Sequence, residues 1–391
     1  MNKKIIFLIL ICGTALNGFS IIPGYYGARS LSLGYASTAY NYEINSIFIN
    51  PAILSSIDYT LWGYQYQHSY LDYRDFAEDL GSVMGNDLEH FENLGGSDKS
   101  ALFSQLKELF RSKAGMYGFR SSIPGYVSRN FGLSFSLNKT ALVNPVPPRE
   151  NFFDQDIETV TNADIASLQM NFIGLNYKKI SLSYSMDIHR SFSAGITLHY
   201  LNGKVAAFKR SIVNDIFTVE KEPKDYLEAS WDSAEEKFSK VVADAGIVVT
   251  LGKFFNIGLV YRNFGAAKIR TAQQEIALAK RIIVGLAFRP DAQWGIYIDV
   301  DLKKSDLLYN GQEMQPISLG IEKGFFSNKF FVRLGMLNDL TEKTLLGKKS
   351  NALVGMGVGF NMEKFVVDAA IGLGPNGTVN SLAVSGFILM K

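Results

Sequence analysis

The stretch Trp294-Gly295-Ile296-Tyr297-Ile298-Asp299-Val300-Asp301-Leu302-Lys303 puts Trp, Ile, Ile, Val and Leu at even positions and Gly, Tyr, Asp, Asp and Lys at odd ones. Successive side chains of a strand point to opposite faces, so this is strand sequence with one apolar and one polar face. Two carboxylates turned into a dry core would be costly, so the odd face is wet. The same alternation recurs in Ile282, Val284, Leu286 and Phe288 against Gly285 and Arg289, and in Phe330, Val332, Leu334 and Met336 against Arg333 and Gly335. Ile180, Leu182, Tyr184 and Met186 stand likewise against Ser181, Ser183, Ser185 and Asp187.

One such strand fits a soluble sandwich as well as a membrane barrel, so number, length and spacing must decide. About fourteen runs reach the 9 to 11 residues that a tilted membrane-spanning strand needs. They begin near Tyr59, Gly115, Arg129, Asp164, Ser191, Lys240, Phe254, Lys280, Gln293, Gln315, Ser327, Lys348, Glu363 and Val379. Short links (Ser122 to Val127, His189 and Arg190, Gly252 and Lys253, Arg289 to Ala292, Gly324 to Phe326, Asn361 and Met362) alternate with long ones. The long ones are Tyr70 to Ala114, Lys139 to Asn162, Arg210 to Phe238, Gly265 to Ala279, Lys304 to Met314 and Asn338 to Gly347, with Gly374 to Thr378 short among them. Short periplasmic turns and long outer loops are the pattern of an outer-membrane barrel. In the fourth run Asn176, Lys178 and Lys179 interrupt the apolar face, and a split there would give fifteen strands. The interruption reads as a β-bulge or as a wall kink of the kind a lateral exit requires, the bulge being the simpler account.

Composition agrees with an all-β chain of this kind. The 391 residues carry 39 Lys and Arg against 37 Asp and Glu, 19% charged and 13% aromatic, with one cysteine. A net charge of +2 gives no footprint for nucleic acid. Lys3 and Lys4 precede the apolar run Ile5 to Ile11, with small Gly18 and Ser20 before Ile21, so residues 1–20 read as a cleaved signal peptide. Its removal takes the only cysteine, Cys12, so export occurs without a disulfide. A lipoprotein signal at Cys12 is the alternative, although Ile11 is bulky where a small residue is expected. No apolar run reaches the ~20 residues of a membrane helix.

Two segments lie outside the strand pattern. In 74–112, Leu102, Phe103, Leu106, Leu109 and Phe110 recur at helical spacing, and Phe76, Leu80, Val83 and Met84 less regularly. This outer-loop insertion reads as two or three short helices over the mouth, either a structural cap or a lid for an apolar ligand. Residues 21–58 are rich in Gly, Ala, Ser and Tyr and precede the barrel proper, 59–391. A segment of that composition is suited to plug the lumen.

Within it stand Gly27-Ala28-Arg29-Ser30-Leu31-Ser32-Leu33-Gly34 and, after them, Asn50-Pro51-Ala52-Ile53-Leu54. These elements resemble the G-A-R-x-x-x-x-G and N-P-A-x-L segments at the N-terminus of the FadL-like outer-membrane superfamily. That group comprises long-chain fatty acid and hydrocarbon transporters and relatives associated with secretion and conjugation. The resemblance implies a fourteen-stranded barrel with a hatch in the lumen and a hydrophobic ligand held beside it. Arg29 is then a hatch salt bridge or a carboxylate partner, while Asn50 and Pro51 either shape the hatch turn or serve the ligand. A terminal aromatic is usual in outer-membrane barrels, and here Phe387 is followed by Ile388, Leu389, Met390 and Lys391.

Gly355, Gly357 and Gly359 recur every second residue and form a smooth stripe that gives room to a plug or a ligand. Arg333 belongs to a wet-face set with Asp187, Asp244, Arg262, Arg289, Asp299, Asp301, Glu322 and Asp368, whose mixed signs suit mutual pairing inside a barrel. The four histidines, at 68, 90, 189 and 199, show no metal-ligand spacing; His189 lies in a turn and His199 on a polar strand face, and both read as wet-face residues. Gly372, Gly374 and Gly377 precede a strand and not a helix, so they mark a hairpin turn and not a dinucleotide site. No enzyme, cofactor or metal is expected. The reading is an outer-membrane channel for passive uptake of hydrophobic small molecules, with long-chain fatty acids as the ligand the resemblance implies. A non-transporting scaffold with a protein partner at the outer loops, for which Val213 to Lys240 offers a surface, is the alternative. A soluble periplasmic β-protein is a third, and would need the Trp294 to Leu302 face covered by protein.

Overall fold

The structure is a computed structural model and describes the chain except residues 1–26, 41–44, 72–82, 84–87, 89, 113–114, 150, 212–230, 266–267, 274, 307–312, 342–351, 375–378 and 391. The signal-peptide reading, Cys12, Phe76, Leu80, Met84, Gly377 and most of the Val213 to Lys240 surface lie outside the described residues. Eighteen strands follow in order: β1 Thr60–Leu71, β2 Gly115–Ser128, β3 Phe131–Val146, β4 Gln169–His189, β5 Phe192–Ser211, β6 Glu235–Leu251, β7 Phe255–Phe264, β8 Lys268–Arg270 and β9 Glu275–Ala277. Then come β10 Arg281–Phe288, β11 Trp294–Asp301, β12 Ser305–Asp306, β13 Glu313–Met314, β14 Pro316–Phe325, β15 Phe330–Asp339, β16 Leu353–Met362, β17 Phe365–Leu373 and β18 Val379–Met390. Fourteen of them form one closed antiparallel barrel, with β1 paired to β18 from Thr60↔Met390 to Ser69↔Ser381. The other four make two small hairpins, β8–β9 and β12–β13, within the long connections.

The alternation fixes which way each strand faces. The apolar phase looks outward and is exposed, as Trp62, Leu182, Leu198, Val241, Trp294, Leu334 and Val384 show, while Ser181, Ser183, Asp299 and Arg333 of the other phase are buried. An apolar surface running around a closed wall is what a bilayer covers. Aromatic side chains gather toward the short-turn end, where Phe255 stacks on Phe288 at 4.6 Å and Phe330 meets Phe360 at 5.0 Å.

Several sequence expectations require correction. Ser122 to Val127 is not a turn: β2 continues to Ser128, and the chain reverses at Arg129 and Asn130, where Asn130 takes φ 67°. Ile123 and Pro124 form a bulge inside β2, with a register shift against both β1 and β3. Pro124 lacks the N–H a ladder needs, which is why the Pro-Gly signal resembled a turn. Asp164 does not begin a strand but lies in the short helix Asn162–Ala166, held by a capping box with Thr161. Asn176 to Lys179 is not a bulge, because β4 pairs with β3 and β5 without a shift through those residues. The interruption marks instead a change of environment. Below it the outward residues Ile180, Leu182, Tyr184 and Met186 are exposed and apolar, while above it the apolar Ile173 and Leu175 sit in the inward phase and are buried.

That change explains the lengths. The 21 residues of β4 and 20 of β5 exceed what a bilayer needs, so the β3–β6 side rises past it at the long-loop end. Helix Gly96–Ser112 packs Leu102, Phe103, Leu106 and Leu109 against Phe152, Phe153, Ile165 and Met170, with Val143, Phe172 and Phe110 beside them. Val143, Met170 and Phe172 belong to the outward phase, so this module flanks the raised wall and covers its own apolar side chains there.

Candidate functional site: the barrel lumen

Residues 27–40 and 45–57 run inside the barrel and are buried apart from Tyr40 and Ser56. The helix Ala28–Ser32, the helix Ser46–Ile49 and the 3-10 turn Pro51–Ser56 are its ordered pieces. Gly27 and Gly34 frame the first at φ 95° and 60°, in the left-handed region that favours glycine. The wall makes room in the same way, since a Cβ on Gly355 would lie 1.9 Å from the Leu31 carbonyl oxygen and one on Gly335 2.0 Å from the Leu33 carbonyl carbon. Gly357 faces Ser32, and Gly359 leaves space for the Arg333 guanidinium, so the stripe serves both the segment and a buried cation.

Charge fixes the segment to the wall. Arg29 Nε and Nη2 donate to the two carboxylate oxygens of Glu322 at 3.2 and 3.1 Å, and Nη2 also donates to the Tyr297 hydroxyl at 3.2 Å. Arg333 Nε donates to the same Glu322 at 2.6 Å, and its Nη1 pairs with Asp368. A chain Arg29–Glu322–Arg333–Asp368 thus ties the segment to the β14–β17 side of the wall with all four side chains buried. Buried charges persist only when paired in this manner. Asp299 Oδ2 accepts the backbone amides of Ser37 and Thr38 at 3.0 and 2.9 Å, and Arg281 pairs with Asp301 at 2.5 Å.

The second motif is held by different chemistry. Asn50 Nδ2 donates to the carbonyls of Thr38 and Ile247 at 2.9 and 3.1 Å, while its Oδ1 accepts the Ala52 amide at 3.1 Å. Asn50 therefore joins the segment to itself and to β6, and Pro51 opens the 3-10 turn at a position that needs no donor. Arg262 Nη2 donates to the Ile49 carbonyl at 3.0 Å and Thr197 Oγ1 to the Ile47 carbonyl at 3.0 Å.

His199 lies on the inward, polar face, as the alternation places it, but is packed away from water. It is 1% exposed, with Nδ1 2.8 Å from Ser181 Oγ, Nε2 3.1 Å from Asp244 Oδ2, and its ring stacked on Phe48. Three strands bring these groups to one height, a coincidence of register that no spacing in the sequence reveals. Lys179 Nζ lies 4.6 Å from the centroid of the Phe48 ring, so Phe48 meets both His199 and Lys179. His189 ends β4 and is exposed.

Above Phe48 the inner wall changes character. Leu142, Ile173, Leu175, Leu201, Val205, Phe238 and Val242 form one apolar cluster on β3–β6, closed over by Ile269, Ile276 and Leu278 from the β8–β9 region. The hairpin is tied to the rim, where the Ala272 amide donates to Glu236 at 2.7 Å and Gln273 accepts the Lys209 amide at 3.2 Å. The lumen is thus polar and filled by the segment below, and apolar and roofed by a small hairpin above. Sequence reading did not assign this apolar half, because each strand contributes only one to three of its residues before its apolar phase moves outward.

No family model matches this chain, and no curated protein matches its sequence. Solved structures do. The chain superposes on the CymD monoaromatic hydrocarbon channel with a TM-score of 0.53 at 10% identity, covering 95% of this chain and 99% of that one. The Ralstonia pickettii toluene transporter TbuX gives 0.51 at 11% identity, with 94% and 98% covered. A Pseudomonas aeruginosa FadL homologue gives 0.51 at 10%, with 95% and 98% covered. The fold of this chain is the FadL-like one.

Proposed function

We propose that this protein is a bacterial outer-membrane channel for passive uptake of hydrophobic small molecules, with long-chain fatty acids as the ligand class. The observation that carries the reading is the apolar upper lumen between Leu175, Leu201, Phe238 and Ile276. A wall wholly devoted to water would place polar side chains there, as it does lower down. An acyl chain that displaces the hairpin contacts gains about 0.8 kcal/mol for each buried CH₂. Likeness in fold to a monoaromatic hydrocarbon channel and a toluene transporter supports a hydrophobic cargo.

Arg29 and Arg333 are both engaged by carboxylates of the protein, so neither is the first contact of a fatty acid headgroup. Lys179, buried where the apolar wall meets the polar one, takes that role in exchange for its present contacts. Onward movement requires residues 27–57 to rearrange. The bulge at Ile123 and Pro124 breaks the hydrogen-bond ladder on both sides at bilayer height, opposite Tyr64 and Phe135, and serves as the lateral exit.

Native mass spectrometry of the detergent-purified barrel titrated with oleate, and with toluene as an uncharged comparison, tests the reading. About one oleate per chain is expected, weakened about ten-fold by Leu175→Asp and by Lys179→Gln, with toluene affected by the first substitution alone. A folded barrel that takes up neither ligand contradicts it and directs attention to a protein partner at the outer loops.

A further inference from the structure

Four lysines gather on one side of the outer wall. Lys139, Asn176, Lys204 and Lys237 are direct cross-strand partners along a single row over β3, β4, β5 and β6. Lys178 stands one outward position below Asn176, and all five share the outward phase of Leu133, Ile180, Leu198 and Val241. Lys178, Lys204 and Lys237 are exposed and Lys139 is half-buried. By contrast, the outward residues of β7, β10, β11 and β14–β18 include one charged side chain, Lys323 at the short-turn end, over the Trp294 ring.

The row lies where the wall changes solvent. Beneath it, past one row of Leu137, Lys178, Asn202 and Ser239, are the exposed apolar residues Ile180, Leu182, Leu198, Tyr200 and Val241, and above it the outward face is covered by Phe172, Phe208 and Trp231. Lys204 and Lys237 face each other across adjacent strands, a like-charge pairing that destabilises a sheet unless an anion offsets it. Glu235 pairs with Lys204, which leaves Lys139, Lys178 and Lys237 in excess. Three strand spacings make the row about 14 Å wide, which suits a headgroup carrying two separated phosphates better than one glycerophosphate.

We infer that this row is a binding site for a phosphorylated glycolipid of the outer leaflet, with acyl chains on the β3–β6 apolar face and phosphates on the lysines. The inference rests on the outer-membrane reading, which places the long-loop end outside. Basic residues at a membrane surface attract anionic headgroups, each worth about a five-fold gain in affinity.

The full-length barrel in phosphatidylethanolamine nanodiscs is titrated with bis-phosphorylated lipid A, dephosphorylated lipid A and phosphatidylglycerol, and bound lipid is counted by native mass spectrometry. Bis-phosphorylated lipid A is expected to be retained, and about 25-fold more weakly by K204Q/K237Q. K204R/K237R restores retention, and K329Q/K364Q at the opposite end leaves it unchanged. Equal retention of the dephosphorylated lipid, equal retention of phosphatidylglycerol, or no change in K204Q/K237Q overturns the inference. Oleate uptake by the same variants is measured in parallel, so loss of the lipid site and loss of the channel reading are separate results.

Discussion

Arg29 illustrates how far a single residue can be understood. Its place between two glycines of positive φ was legible, because a G-A-R-x-x-x-x-G spacing needs both glycines for the turns that enclose it. Its partner was not, since Glu322 lies 293 positions away on a strand whose register only the closed barrel fixes. Arg29→Ala leaves Glu322 with Arg333 and the Tyr297 hydroxyl beside an emptied polar site, and is expected to cost about 3 kcal/mol in urea unfolding of the reconstituted barrel. An unchanged midpoint would remove the ion-pair chain from the account. His199 shows the limit from the other side: alternation placed it inward, but nothing in the sequence aligned Ser181, Asp244 and Phe48 around it.

At the scale of elements, alternation located every barrel strand and mislocated some ends. Pro124 and Gly125 carried a strong turn signal, and the sheet absorbed them as a bulge because the strand pairs on either side continue. The helix at 162–166 was hidden by its brevity. Asp164 accepts hydrogen bonds from the Thr161 amide and hydroxyl, which hold its carboxyl below the usual carboxylate range. Stability from a depressed carboxyl is present above the unfolded pKa and fades as pH falls through the folded one. Amide exchange in 157–168 is therefore expected to quicken below about pH 4, and Asp164→Asn to quicken it at neutral pH as well. The β8–β9 hairpin closes the apolar lumen by Ile269 and Ile276. Ile276→Asp is expected to open it, seen as loss of amide protection in 268–277 with the barrel strands unaffected, and to lower oleate affinity about ten-fold. Retained protection would show that the roof is held by its rim hydrogen bonds and not by apolar contact.

For the whole molecule, two opposite amphipathic patterns share the same strands. Within the bilayer the apolar phase faces lipid and the lumen is polar, lined by buried ion pairs and filled by residues 27–40 and 45–57. Above it, on β3–β6, apolar residues face the lumen as well, while Phe172 and Phe208 of the outward phase are covered by the flanking elements. Strand number, closure and the outward apolar face followed from periodicity, and the apolar upper lumen appeared only when the strands were aligned by height. The central claim is that a hydrophobic molecule occupies that upper lumen. The most direct test is a crystal structure of the protein grown with a terminally brominated long-chain fatty acid, with bromine located by anomalous scattering. The account predicts bromine between Leu175, Leu201, Phe238 and Ile276, with the carboxylate end toward Lys179. Bromine found only on the outward apolar face, with the lumen cluster closed as it stands, would contradict it.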